Sequence, residues 1–159
     1  MSAVVSHLDR QVRSTQRLLQ IVLAQTDSIK DQDTEAVLAQ LGEVQAELGN
    51  RAQLEQERDS LIRDTAMQLG VDPDEVTLET MLSSTDPVIA TRARELSAEL
   101  RGLLGEIERV HGQNRVLIRQ ELSFLGHLMR VLSGTPQGSY SPFGETDMPQ
   151  ATNAVDARA

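Results

Sequence analysis

The chain of 159 residues has no cysteine and no tryptophan, one tyrosine and two phenylalanines. The first absence excludes disulfide frameworks, thiolate zinc sites, iron–sulfur clusters and cysteine nucleophiles. The shortage of aromatics means that any core is built from Leu, Val, Ala and Ile, a composition suited to helix packed on helix. It also leaves no platform on which bases stack, and a net charge of −9 with a pI near 4.8 supplies no basic face for phosphates, so nucleic acid is not an expected partner. No long apolar run is present. His7, Asp9, Arg10, Arg13, Arg17 and Asp27 interrupt the first 30 residues, which offer neither the centre of a signal peptide nor a membrane span, and no direct membrane insertion is expected. The expected location is the cytoplasm.

What is present divides at proline and at charge. The five prolines, at positions 73, 87, 136, 142 and 149, leave residues 1–72 and 88–135 free of the strongest helix breaker. Net charge is +2 over residues 1–30 and −11 over residues 31–86, so the acidity belongs to the second quarter of the chain. In the first segment Leu8, Val12, Thr15, Leu19, Val22 and Ile29 follow three- and four-residue steps, with Thr26 filling the place before the last, and Leu18, Ile21 and Leu23 widen the face, which predicts an amphipathic helix. A capping Asp in the run from Lys30 to Glu35 predicts a turn near 30–33 and a second helix from Thr34. In that helix Val37, Leu41, Val44, Leu48 and Ala52 step by four and three, and Leu61, Ile62, Ala66 and Leu69 resume the pattern before a left-handed stop at Gly70. Residues 71–86 read as a connector holding a short helix capped by Thr77.

Asp86-Pro87 opens the longest predicted helix, expected to reach about Leu132 and to stop at Gly134. At 1.5 Å per residue it would span roughly 69 Å, too long for a compact ball. Ile89, Leu96, Leu103, Val110, Leu117, Phe124 and Val131 repeat every seven residues, with Ala93, Leu100, Ile107, Asn114, Glu121 and Leu128 as companion column. The fold class is therefore all-α: an elongated antiparallel bundle or coiled coil of long helices with a short connector helix. Residues 1–134 form one helical domain and residues 135–159, with three prolines and two glycines, a disordered tail. Up to Val110 the seam is expected to pack on the two amino-terminal helices. Beyond it, Ile118, Leu122, Leu125 and Met129 add apolar surface on further sides, and either the bundle closes around it or a partner covers it.

Candidate chemistry is sparse. Glu108-x-x-His111 has the spacing of half a ferritin-like metal site, but it occurs once and reads as a solvated face; no metal, no cofactor and no catalytic residue is assigned, and an enzyme is not expected. Gly102, Gly105, Gly112 and Gly126 fall inside a predicted helix and so make no phosphate loop; Gly105, Gly112 and Gly126, in one heptad column, read as local softness of the helix, with close approach of a partner as the other possibility. Tyr140, beside Phe143 in the tail, reads as a docking aromatic.

The string Asn114-Arg115-Val116-Leu117-Ile118, the apolar stretch to Leu132, Ser133-Gly134, and Tyr140 followed by Gly144 together resemble the FlgN family of flagellar export chaperones, with further support from Leu69-Gly70-Val71 and Thr77-Leu78. The resemblance implies a cytosolic chaperone that binds the carboxy-terminal helical region of hook-filament junction proteins, the hook-associated proteins. It would prevent their premature association and deliver them to the flagellar export gate. A client helix would lie on Leu117, Ile118, Leu122, Phe124, Leu125, Leu128, Met129 and Leu132, and Tyr140 would dock on the gate. The alternative is a structural coiled-coil adaptor with a permanent protein partner, which would use the same face.

Overall fold

A computed structural model describes residues 2–134, which form four α-helices and a 3-10 turn, with no strand among the described residues. The predicted tail lies outside them. Helix α1 spans Ala3–Lys30, α2 Thr34–Leu69, α3 Leu78–Leu82 and α4 Pro87–Ser133, with the 3-10 turn at Pro73–Glu75. The predicted punctuation is that observed. Asp33 caps α2 by accepting from the Ala36 amide at 3.1 Å, and Gly70 ends it at φ 68°. Thr77 and Thr80 cap α3 reciprocally (3.2 and 2.8 Å), and Asp86 accepts from the Val88 amide at 2.8 Å ahead of Pro87. The 3-10 turn was not anticipated; Asp72 nucleates it by accepting from the Asp74 amide at 3.0 Å.

Contacts divide the chain into two units, Met1–Gly112 and Gln113–Ala159. In the first, α1 and α2 form an antiparallel hairpin. The first part of α4 runs parallel to α1: Val5 and Val12 share a cluster with Leu82, Ala90, Ala93 and Leu96, and Leu18 and Val22 share one with Val110. Leu96 and Val110 are almost completely buried, each stabilising the bundle by about 1.5–3 kcal/mol. The connector is tied back by a two-pronged ion pair, Arg94 to both Glu79 oxygens at 2.9 and 2.8 Å.

The α1 stripe is buried or half-buried as its periodicity predicts, except that Leu23 of the widened face is exposed, and α1 is covered on other sides too: His7, Gln11, Ser14 and Gln25 are buried. The α2 stripe differs more. Leu41, Leu48 and Ala52 are exposed, and α2 instead buries Glu47, Leu54 and Ala66. The cause is a polar seam between α1 and α2. Ser14 Oγ donates to Glu47 Oε1 at 2.5 Å, Arg17 Nη2 and Nε reach the two Glu47 oxygens at 3.1 and 3.2 Å, and Arg51 Nη1 donates to Thr15 Oγ1 at 2.7 Å. These bonds satisfy groups that a purely apolar stripe would have displaced, and they set the rotation of α2.

Candidate functional site

Residues 113–134 form the described part of the second unit, a helix ending at Gly134 with φ 65°. It contains neither proline nor a long β-branched run, and strong helix formers recur through it, so its conformation needs little tertiary support. Its side chains are distributed unlike those of a bundle helix. Leu117 is half-buried, whereas Ile118, Leu122, Phe124, Leu125 and Leu128 are exposed, and Met129 and Leu132 reach 69% and 77% exposure. Val116 and Val131, outside the residues on which the resemblance would lay a client, are equally open. Val131 was legible as a seam position, and Val116 stands inside the family string. At ~100° per residue the apolar side chains from Leu117 to Leu132 cover roughly half of the helix circumference, with Glu121 among them, while Val116 falls on the opposite side between Ser123 and His127. Arg115, Arg119, Ser123, His127 and Arg130 occupy the other half.

The heptad columns change character within this segment. Asn114 is 3% exposed and Glu121 half-buried, and beyond them Phe124, Leu128 and Val131 of the same columns are open. Of the family string, Arg115 is exposed. The arrangement offers an apolar surface larger than scattered exposed leucines would give, broken by the Glu121 carboxylate and bordered on one side by Arg115. A surface of this kind suits contact with another protein chain. Tyr140 lies outside the described residues.

The first unit holds the other clustered polar groups. His7 is buried, its Nδ1 3.5 Å from Glu57 Oε2 and its Nε2 3.4 Å from the Gln11 amide nitrogen. Burial holds the imidazole pKa below the usual histidine value, outweighing the opposing hydrogen bond to Glu57. Burial pushes Glu47 up, but the hydrogen bonds from Arg17 and Ser14 outweigh it and hold the carboxyl below its ordinary range. Glu57 is lowered by the hydrogen bond from Arg10. A cavity of about 380 Å³ beside His7 is walled by Leu8, Arg51, Leu61, Leu78 and Leu100. Its polar groups are engaged within the fold, Arg51 with Thr15 and Arg58 with Glu55, which makes this wall structural. Glu108 and His111 are both exposed, and the described residues contain no cluster of three or more His, Asp or Glu placed to hold a metal. No described helix is long and apolar enough to cross a membrane.

An all-helical framework carrying a half-apolar, solvent-facing helix defines a protein-binding module. The family model described as FlgN protein matches residues 1–147, and the chain belongs to this family, the flagellar export chaperones. Comparison with the curated proteins and with the solved structures gives no significant match.

Proposed function

We propose that this chaperone works in the cytoplasm on hook-filament junction proteins, binding the carboxy-terminal helical region of these hook-associated clients on the apolar half of residues 117–132. The observation that carries the reading is the exposure of that half-cylinder on a helix whose earlier heptads are buried. A client segment without structure of its own gains an apolar neighbour by folding as an amphipathic helix against Leu117, Ile118, Leu122, Phe124, Leu125, Leu128, Met129 and Leu132. Covering the client's self-associating surface prevents premature assembly until delivery to the export gate. Residues 1–134 act as one chaperone domain, and residues 135–159 as its tail, in which Tyr140 docks on the gate. Asn114, Arg115, Leu117 and Ile118 carry the family string into the start of the client face.

The test is titration of the full chain with the carboxy-terminal region of a hook-associated protein. Binding is expected, and Leu125→Asp with Met129→Asp should abolish it, since a carboxylate placed in an apolar contact costs several kcal/mol. Tyr140→Ala should leave client affinity unchanged and weaken binding of the complex to the isolated gate domain. A client that binds the double variant at wild-type affinity would place the client elsewhere. A partner that never exchanges for free client would favour the permanent adaptor.

A further inference from the structure

Glu121 stands inside the apolar half of the helix over residues 117–132. At ~100° per residue it falls near the middle of the arc that Leu117, Leu122, Leu125, Leu128 and Leu132 occupy, while Arg119 and Arg130 fall on the far side and Arg115 at one border. Its neighbours at three- and four-residue spacing are Leu117, Ile118, Phe124 and Leu125, all apolar. Leu117 is half-buried and the other three are exposed. A single carboxylate, itself half-buried, is thus the charge at the centre of this surface.

That placement constrains any helix that binds there. One that buries Leu117, Ile118, Phe124 and Leu125 also covers the Glu121 that lies among them. An ionised carboxylate has about four acceptor positions, so a donor from its own chain still leaves others to solvent. Withdrawing those from water is costly unless the arriving chain supplies a donor in exchange. A hydroxyl or amide supplies a hydrogen bond but leaves the charge uncompensated in apolar surroundings. A Lys or Arg supplies both: its charge-assisted bonds are stronger than neutral ones, and its aliphatic stem covers apolar surface while its head reaches the carboxylate.

We infer that Glu121 determines which clients this face accepts: it receives a Lys or Arg carried within the apolar stripe of the client helix, and that pair sets the register in which the client lies. The inference rests on the proposed client face and adds to it the chemistry of the segment that fits. A purely apolar stripe would strip Glu121 of water without replacing it, and an acidic residue at that place would add repulsion, so both are rejected. A single polar position within an apolar seam fixes register in the same way between the helices of a coiled coil.

Isothermal titration calorimetry of the full chain with the carboxy-terminal region of a hook-associated protein tests this. Glu121→Leu makes the face more apolar, yet it should weaken binding about ten-fold, because the client's cation is then buried without its partner. Glu121→Gln, which keeps the shape without the charge, should fall between the Leu variant and wild type. Replacing the client's Lys and Arg residues by Met one at a time should find one whose loss weakens binding to wild type about ten-fold and restores binding to Glu121→Leu, since neither charge then lies buried alone. Circular dichroism checks that helicity is retained, and Glu121→Gln stands in should the Leu variant lose it. Binding by either variant at wild-type affinity or tighter, or a client in which no Met replacement restores binding to Glu121→Leu, overturns the role of Glu121. Leu125→Asp with Met129→Asp separates this inference from the reading beneath it. If that variant binds client as wild type does, the client face itself is overturned; if it does not bind and Glu121→Leu binds unweakened, the face stands and Glu121 is only tolerated in it.

Discussion

Along α4 one seven-residue pattern meets two environments. In the first unit its leucines and valines are enclosed: Ala93, Leu96 and Val110 are buried, and Ile89, Leu100, Leu103 and Ile107 pack against the two clusters. In the second unit Phe124, Leu128 and Val131 continue the same columns and stand exposed. A heptad records the capacity to pack, whereas burial depends on whether a partner is supplied. In the first unit α1, α3 and Val44 of α2 supply it. In the second the apolar surface is available for another chain.

The largest expected effect breaks this contrast directly. Leu96→Asp buries a carboxylate among Val5, Val12 and Ala93 and should cost several kcal/mol, enough to unfold the bundle. Leu125→Asp with Met129→Asp should leave the melting temperature within a few degrees of wild type, because both side chains already face solvent. Thermal melts by circular dichroism decide it. Equal loss of stability in the two would make residues 125 and 129 part of a core.

How far the sequence speaks follows the same division. Helix ends were legible because capping chemistry is local: Asp33, Gly70, Thr77 and Asp86 each act on amides or carbonyls a few residues away. The rotation of α2 was not legible. Leu41 and Leu48 satisfy the periodicity of a buried stripe, but the pairing of Glu47 with Ser14 and Arg17 joins residues about 30 positions apart, and no local pattern announces such a bond. The same holds for the burial of His7 and Gln11. The apolar excess at 117–132 was legible as an excess, though only the exposures show which side chains face outward.

A smaller effect sharpens the account of the first unit. Ser14→Ala leaves Glu47 buried with one donor fewer and should cost about 1–3 kcal/mol. Glu47 and His7 give the bundle a pH dependence of one sign. Glu47 has a lowered pKa in the folded chain, so its contribution is complete above the ordinary carboxylate value and is lost as pH falls through the folded value. His7 is also lowered, so the unfolded chain takes up a proton that the folded chain refuses, and stability falls as pH drops below the ordinary value near 6.5. Urea midpoints for His7→Gln should therefore vary less between pH ~6.5 and pH ~5 than those of wild type. A wild-type midpoint that rises on acidification across that window would contradict the burial of a neutral imidazole.

The smallest effect lies at Gly112, the last residue of the first unit. A helix-interior glycine costs about 1 kcal/mol relative to alanine unless the missing Cβ admits something close, and at both Gly105 and Gly112 a Cβ would meet nothing within 4 Å. Gly112→Ala should thus raise stability by about 0.5–1 kcal/mol, and Gly105→Ala should do the same within the bundle. Neither should change client affinity if the client lies on residues 117–132 alone. The two glycines are seven residues apart and share one side of α4, so a partner helix that approached them closely would be pushed away by both methyl groups. Stability and client affinity measured on each variant separate the outcomes. A gain in stability at unchanged affinity makes these glycines local softness of the helix, whereas a matching gain with about ten-fold weaker client binding would extend the client face back along α4 to Gly105.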